Sequence, residues 1–81
     1  MLENIIKYYD GEKFIIAVGF DDAIIGVDDK QMRLIYSTKL AIQILCNEGM
    51  HYLDSLEHFN YNVINAYVGE KGPIWCIDDF D

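Results

Sequence analysis

The sequence has none of the motifs by which catalytic chemistry is usually recognised. It contains no G-x-S-x-G nucleophile turn, no P-loop and no G-x-G-x-x-G dinucleotide pattern. A chain of 81 residues also has little room for a concave site with rigid support. We therefore expect a protein that is not an enzyme and that uses no cofactor. Hydrolysis by a pair of its many carboxylates is a residual alternative.

Metal-ligand spacings are missing as well. Cys46 and Cys76 have no short paired spacing, and His51 and His58 on one helix would lie about 10 Å apart. The sequence therefore predicts no metal site. Both thiols are expected to be free in a reducing compartment, although two cysteines also allow one disulfide.

Long apolar runs and basic residues are scarce. No window approaches the roughly 18 apolar residues of a membrane span, and the N-terminal MLENIIKYYDGEK does not have the pattern of a signal peptide. Six Lys and Arg stand against fourteen Asp and Glu, which gives a net charge of −8. Nucleic acid and anionic membranes are poor partners for such a chain, because both require clustered cations. We expect a cytoplasmic protein whose acidity serves either solubility or the binding of a basic protein.

Apolar material, in contrast, is ample. Residues of the AVILMFWYC set make up 52% of the chain and aromatic residues 14%, with a single proline. This composition can offset the conformational entropy that is lost when so short a chain folds. We expect one domain that spans residues 1–81.

The order of apolar patterns predicts the fold class. Residues 2–9 are ambiguous; the predicted elements are a strand at 14–20, a hairpin of 23–27 and 32–37, a helix from Ser37 or Thr38 to Gly49, a helix over 51–68, and a strand at 74–77. Strands followed by helices indicate an α+β fold. The expected architecture is a small antiparallel sheet of three to four strands with two helices packed on one face.

Half of the acidic residues fall into three clusters, whose members other than Asp81 are the candidate partner-binding residues. The clusters are Asp21 and Asp22, Asp28 and Asp29, and Asp78, Asp79 and Asp81. The first two pairs flank a strand of five residues, so about 17 Å separates them. Aspartate also favours turns, which is the simpler interpretation of each pair. If the clusters converge, they would match a row of phosphates in sign and spacing and could capture a DNA-binding protein.

The segment NYNVINAYVGEKGPIW is the most distinctive in the chain. A buried amide must find hydrogen-bond partners, so the asparagines of this helix are expected to fasten it to the loop at 68–73. A binding groove is the alternative, and its candidate residues are Asn62, Tyr67, Glu70 and Trp75.

The combination of DDAIIGVD, RLIYS, FNYNV and AYVGEKGPIW resembles a group of short acidic proteins of bacteriophage and prophage genomes. The resemblance covers about residues 20–76 and transfers no residue roles. It implies an inhibitor of a host protein that acts by binding in the bacterial cytoplasm, as anti-CRISPR and anti-restriction proteins do, some of them by mimicking DNA. The alternatives are an oligomeric protein that binds a small ligand or nucleotide, and a structural accessory protein that forms a homo-oligomer, such as a homodimer.

Overall fold

The computed structural model describes residues 1–65 and 69–80 and has an α+β architecture. Its elements are α1 (Leu2–Tyr8), a 3-10 helix (Asp21–Ala23), β1 (Ile24–Asp28), β2 (Arg33–Ser37), α2 (Thr38–Asn47), α3 (Tyr52–His58), a π-helix (Phe59–Ile64) and β3 (Ile74–Cys76). The predicted fold class and a sheet of three strands, in the order β1-β2-β3, are confirmed. Among the described residues, no helix is both long and apolar enough to cross a membrane.

The hairpin of β1 and β2 forms where the sequence predicts it. The strands are antiparallel, with Val27 opposite Leu34. Asp28 closes the turn, because its Oδ1 accepts hydrogen bonds from the backbone amides of Lys30 and Gln31 at 3.0 and 3.3 Å. Leu34 and Tyr36 point to the core and are fully buried, as their alternation along β2 predicts.

Helix α2 begins and ends at the predicted signals. The Oγ of Ser37 accepts a hydrogen bond from the amide of Leu40 at 3.1 Å, which satisfies a free donor of the first turn. Ala41 and Leu45 form its buried face. Gly49, at φ +105°, adopts the left-handed conformation that ends many helices.

The last strand corrects the expected orientation of the sheet. β3 pairs with β2 in parallel, with Ile74 opposite Ile35 and Cys76 opposite Ser37, so the sheet is mixed. A parallel pair needs a crossover connection, and α2, α3 and the π-helix provide it. These helices carry the chain from the end of β2 back to its beginning, from which β3 runs in the same direction.

The strand predicted at 14–20 does not form. Residues 12–17 have no regular structure, and a turn follows at 18–19, where Gly19 has φ +91°. The amide of Ala17 donates to the phenol oxygen of Tyr36 at 2.9 Å instead of joining the sheet. Val18 is 90% exposed. β-branched residues make a strand only where a neighbouring strand pairs with them, and none does so here.

The helix predicted over 51–68 is divided, and its buried face differs from the apolar stripe that helical spacing predicts, which begins with Leu53, Leu56 and Phe59 or Asn60. Within the described residues it consists of α3 and the wider π-helix that follows. Ser55 and Phe59 are buried, whereas Leu53, expected in the core, is 75% exposed. Ser55 accounts for this orientation, since its small side chain lies 3.3 Å from the Sγ of Cys46 and allows α3 to approach α2 closely.

An aromatic cluster forms the centre of the core. Trp75 makes edge-to-face contacts with Phe20 and Phe59, at centroid distances of 5.7 and 5.0 Å. Its ring lies 4.8 Å from that of Tyr36. Such pairs stabilise a fold by about 0.5–1.5 kcal/mol each beyond the burial of their area. The cluster joins β2, β3, the π-helix and the segment before β1.

The buried phenol of Tyr36 gives the first testable prediction. Tyr36→Phe removes the acceptor of the Ala17 amide and should lower the free energy of unfolding by about 1–2 kcal/mol. Tyr8→Phe is the matched control, because the Tyr8 side chain is 80% exposed. Urea denaturation of both variants measures the difference. Equal stability of the two variants would contradict the assigned role of the phenol.

A pH dependence follows from the same side chain. Burial raises the pKa of Tyr36 above its ordinary value of 10.0; the Ala17 amide lowers it, and the charge of Asp21 raises it further. The folded protein thus holds this proton more firmly than the unfolded chain, so the stabilisation is present below pH 10 and is lost as the pH rises above it. We expect the urea midpoint to fall less steeply between about pH 9 and pH 11 in Tyr36→Phe than in the wild type. If the urea midpoints of the two proteins fall equally steeply with pH, ionisation of Tyr36 is not the cause of the pH dependence.

Candidate functional site

Two of the three acidic clusters lie at the same end of the sheet. Asp21 and Asp22 belong to the 3-10 helix just before β1, and Ile24, the first residue of β1, pairs with Tyr36 near the end of β2. On the other side of β2, Cys76 pairs with Ser37, and Asp78 and Asp79 follow. We call the surface of Asp21, Asp22, Asp78 and Asp79 the acidic end.

Ser37 fixes one half of the acidic end. It is fully buried, and its hydroxyl donates to Oδ1 of Asp78 at 2.9 Å while accepting from the amide of Leu40. The same side chain therefore caps α2 and anchors the segment after β3. From the sequence alone, the acidic tail DDFD is expected to fray. The hydrogen bond of Ser37 to Asp78 corrects that expectation. It could not be foreseen without the parallel pairing that brings Cys76 beside Ser37.

Asp79 is held only weakly. Its carboxylate lies 3.6 Å from the Nζ of Lys39, and both side chains are more than half exposed. An ion pair of this kind contributes about 0–1 kcal/mol and is screened by salt. Asp79 is therefore available to exchange Lys39 for a cation of another protein.

The third cluster does not join the other two. Asp28 is the last residue of β1 and Asp29 follows in the hairpin turn, at the opposite end of the strand from Asp22. The hydrogen bonds of Asp28 within the turn agree with the turn-forming interpretation. Asp81 lies outside the described residues. Convergence is thus limited to four of the predicted aspartates.

The residues of the predicted groove are divided between two cavities. Glu70 and Trp75 line an open cleft of about 840 Å³. Asn62 lines a neighbouring groove of about 190 Å³, and Pro73 and Trp75 line both cavities. Tyr67 lies outside the described residues. The structure therefore brings Glu70 and Trp75 together and places Asn62 in the neighbouring groove.

The expected fastening of the loop by asparagine is wrong. Asn60 and Asn62 are exposed, and the Nδ2 of Asn62 lies 3.3 Å from the Nδ1 of His58 on the same helical segment. Arg33 holds the loop instead, because its Nε donates to the carbonyl of Gly72 at 2.8 Å. The alternation of residues along β2 predicts only that the side chain of Arg33 faces solvent. Only the register of β2 against β3, which sets Arg33 beside Gly72, points to this role.

The thiols and the possible metal ligands do not cluster in the described part of the chain. Cys46 and Cys76 are free and half-buried. No three His, Cys, Asp or Glu side chains at 1–65 and 69–80 are grouped so that they could hold a metal ion.

Comparison with protein-family models, with curated proteins and with solved structures gave no match.

The two hydrogen bonds of Ser37 give a prediction about the acidic end. Ser37→Ala removes the cap of α2 and the anchor of Asp78, and should lower the free energy of unfolding by about 2 kcal/mol. Asp79→Asn, which breaks only the exposed ion pair, should change it by less than about 0.5 kcal/mol. Thermal or urea unfolding measures both. If Ser37→Ala is as stable as Asp79→Asn, the two hydrogen bonds of Ser37 do not stabilise the fold as proposed.

Proposed function

We propose that this is a small phage-type binding protein that inhibits a host protein by presenting its acidic end to a basic surface. The observation that carries the proposal is the grouping of Asp21, Asp22, Asp78 and Asp79 at one end of the sheet. All four residues are exposed; Asp21 and Asp22 lie just before β1, and Asp78 and Asp79 lie just after β3. The partner is a protein with clustered Lys and Arg.

Electrostatics favours this mode of binding. The chain carries a net charge of −8, so its field attracts a basic partner from a distance and raises the rate of encounter. Asp78, which the hydroxyl of Ser37 already holds, needs little reordering when it binds, which limits the entropic cost. A host protein that normally binds phosphates of nucleic acid is the most suitable partner. This chemistry agrees with an anti-defence role, against CRISPR or restriction proteins, which the resemblance to phage proteins implies.

Apolar side chains beside the carboxylates add the contact that charge alone does not supply. Ile77 and Phe80 flank Asp78 and Asp79, and Phe80 is 85% exposed. Affinity in protein interfaces comes mainly from a few well-buried apolar or aromatic anchors, whereas charge governs association rate and specificity. We therefore propose that Phe80 is an anchor within the same interface.

The proposal is tested by capturing partners from a bacterial host lysate on immobilised protein at physiological salt. One variant neutralises the acidic end through Asp21→Asn, Asp22→Asn, Asp78→Asn and Asp79→Asn. The matched control makes the same change in net charge at exposed sites elsewhere, through Glu3→Gln, Asp10→Asn, Glu12→Gln and Asp54→Asn. We expect the wild type and the control to retain a basic partner that the first variant loses.

The association rate of the recovered partner gives the quantitative test. Neutralising the acidic end should slow association about tenfold or more at low salt, and the control should slow it far less. Equal losses in the two variants would mean that net charge, and not the acidic end, is recognised. Failure to recover any partner with the wild type would also contradict the proposal.

A further inference from the structure

One cleft carries charge of the opposite sign to the rest of the protein. Of the six Lys and Arg in the chain, Arg33 and Lys71 line the same cleft of about 840 Å³, which lies at the beginning of β2 and β3. Across residues 1–65 and 69–80 the ion pair found is that of Lys39 with Asp79, so neither cation of the cleft forms an ion pair with a described carboxylate. Glu70 is the one acidic residue of the lining.

Arg33 is held in a defined orientation. Its Nε donates to the carbonyl of Gly72 at 2.8 Å, and its Nη1 donates to Oε1 of Gln31 at 3.0 Å. A guanidinium has five N–H donors in a planar fork, so these two bonds fix the plane and leave donors for a ligand. The cation is thus positioned before any ligand arrives.

The nearest acidic neighbour along the sheet does not cancel this charge. Asp28 is the cross-strand partner of Arg33. Its Oδ1, however, accepts hydrogen bonds from the amides of Lys30 and Gln31, which holds it in the hairpin turn. Asp28 therefore lowers the positive potential of the cleft but does not occupy the donors of Arg33 that Gly72 and Gln31 leave free.

The rest of the lining suits a flat organic group. Ile64, Pro73 and Trp75 provide an apolar wall, and Asn65 and Glu70 provide hydrogen-bonding groups. The indole of Trp75 is half-buried and is fixed by Tyr36 and Phe59, so it offers a rigid surface for stacking. The volume lies in the range of about 300–1,000 Å³ that is typical of small-molecule sites.

We propose that this cleft binds a nucleoside monophosphate. Arg33 and Lys71 hold the phosphate, the base packs against Trp75 and Pro73, and Asn65 and Glu70 bond the sugar hydroxyls. A phosphate dianion matches two cations, and arginine pairs with it through two parallel hydrogen bonds. The site is independent of the proposed function, because it uses none of the four aspartates of the acidic end.

Titration calorimetry with AMP, GMP, CMP and UMP tests this proposal, with adenosine and inorganic phosphate as separate arms. We expect at least one nucleotide to bind about tenfold or more tightly than both adenosine and phosphate, because only the nucleotide uses both halves of the cleft. Lys71→Gln should weaken that nucleotide about tenfold. Lys71 is exposed, so its replacement leaves the fold intact. Lys13→Gln, an exposed lysine outside the cleft, is the matched control and should bind like the wild type.

Three results would overturn the proposal. The first is no heat of binding with any of the four nucleotides at millimolar concentration. The second is binding of inorganic phosphate as tight as that of every nucleotide. The third is an equal loss in Lys71→Gln and Lys13→Gln, since that would reflect net charge and not the cleft.

Discussion

The structure depends on the packing of Trp75 within its ring of aromatic neighbours. β3 has only three residues, so its backbone pairing with β2 is a weak attachment by itself. The contacts of the indole with Tyr36, Phe20 and Phe59 add the burial that holds this strand in place. Tyr36 extends the same cluster to Ala17 through its phenol oxygen. A segment with no regular structure is thereby fixed against the sheet without joining it.

β2 organises the two surfaces that carry the functional proposals. Its beginning holds Arg33 and the cation-lined cleft, and its end holds Ser37 and the acidic end. Because β3 runs parallel to β2, each end of β3 lies beside the corresponding end of β2. The two cations of the cleft and the four carboxylates of the acidic end consequently lie at opposite ends of β2. A protein partner at one end and a small anion at the other would not compete for the same residues.

Local signals in the sequence predicted the elements whose neighbours are close in the chain. The hairpin and α2 are fixed by alternation, by an aspartate turn and by a serine cap, all of which act over a few residues. The strand predicted at 14–20 was wrong because strand propensity does not reveal whether a partner strand exists. The parallel direction of β3 depends on the path of the helices that connect it to β2. The bonds of Arg33 to Gly72 and of Ser37 to Asp78 depend on that direction as well. In the same way, the sequence identifies the acidic residues as candidates. It does not show that four of them lie at the end of β2 and that Asp28 and Asp29 lie at its beginning.

The parallel pairing of β3 with β2 affects how the protein unfolds locally. The bond of Arg33 to Gly72 spans 39 residues and that of Ser37 to Asp78 spans 41, whereas the hairpin is closed within a few residues. Contacts of such long separation form late in folding, because the entropy of loop closure must be overcome first. Detachment of β3 would break both bonds in one local unfolding event and leave the hairpin paired. The acidic end would then lose Asp78 and Asp79, and the cleft would lose Lys71 and Trp75. A ligand that stabilises either surface therefore also protects the other against local unfolding.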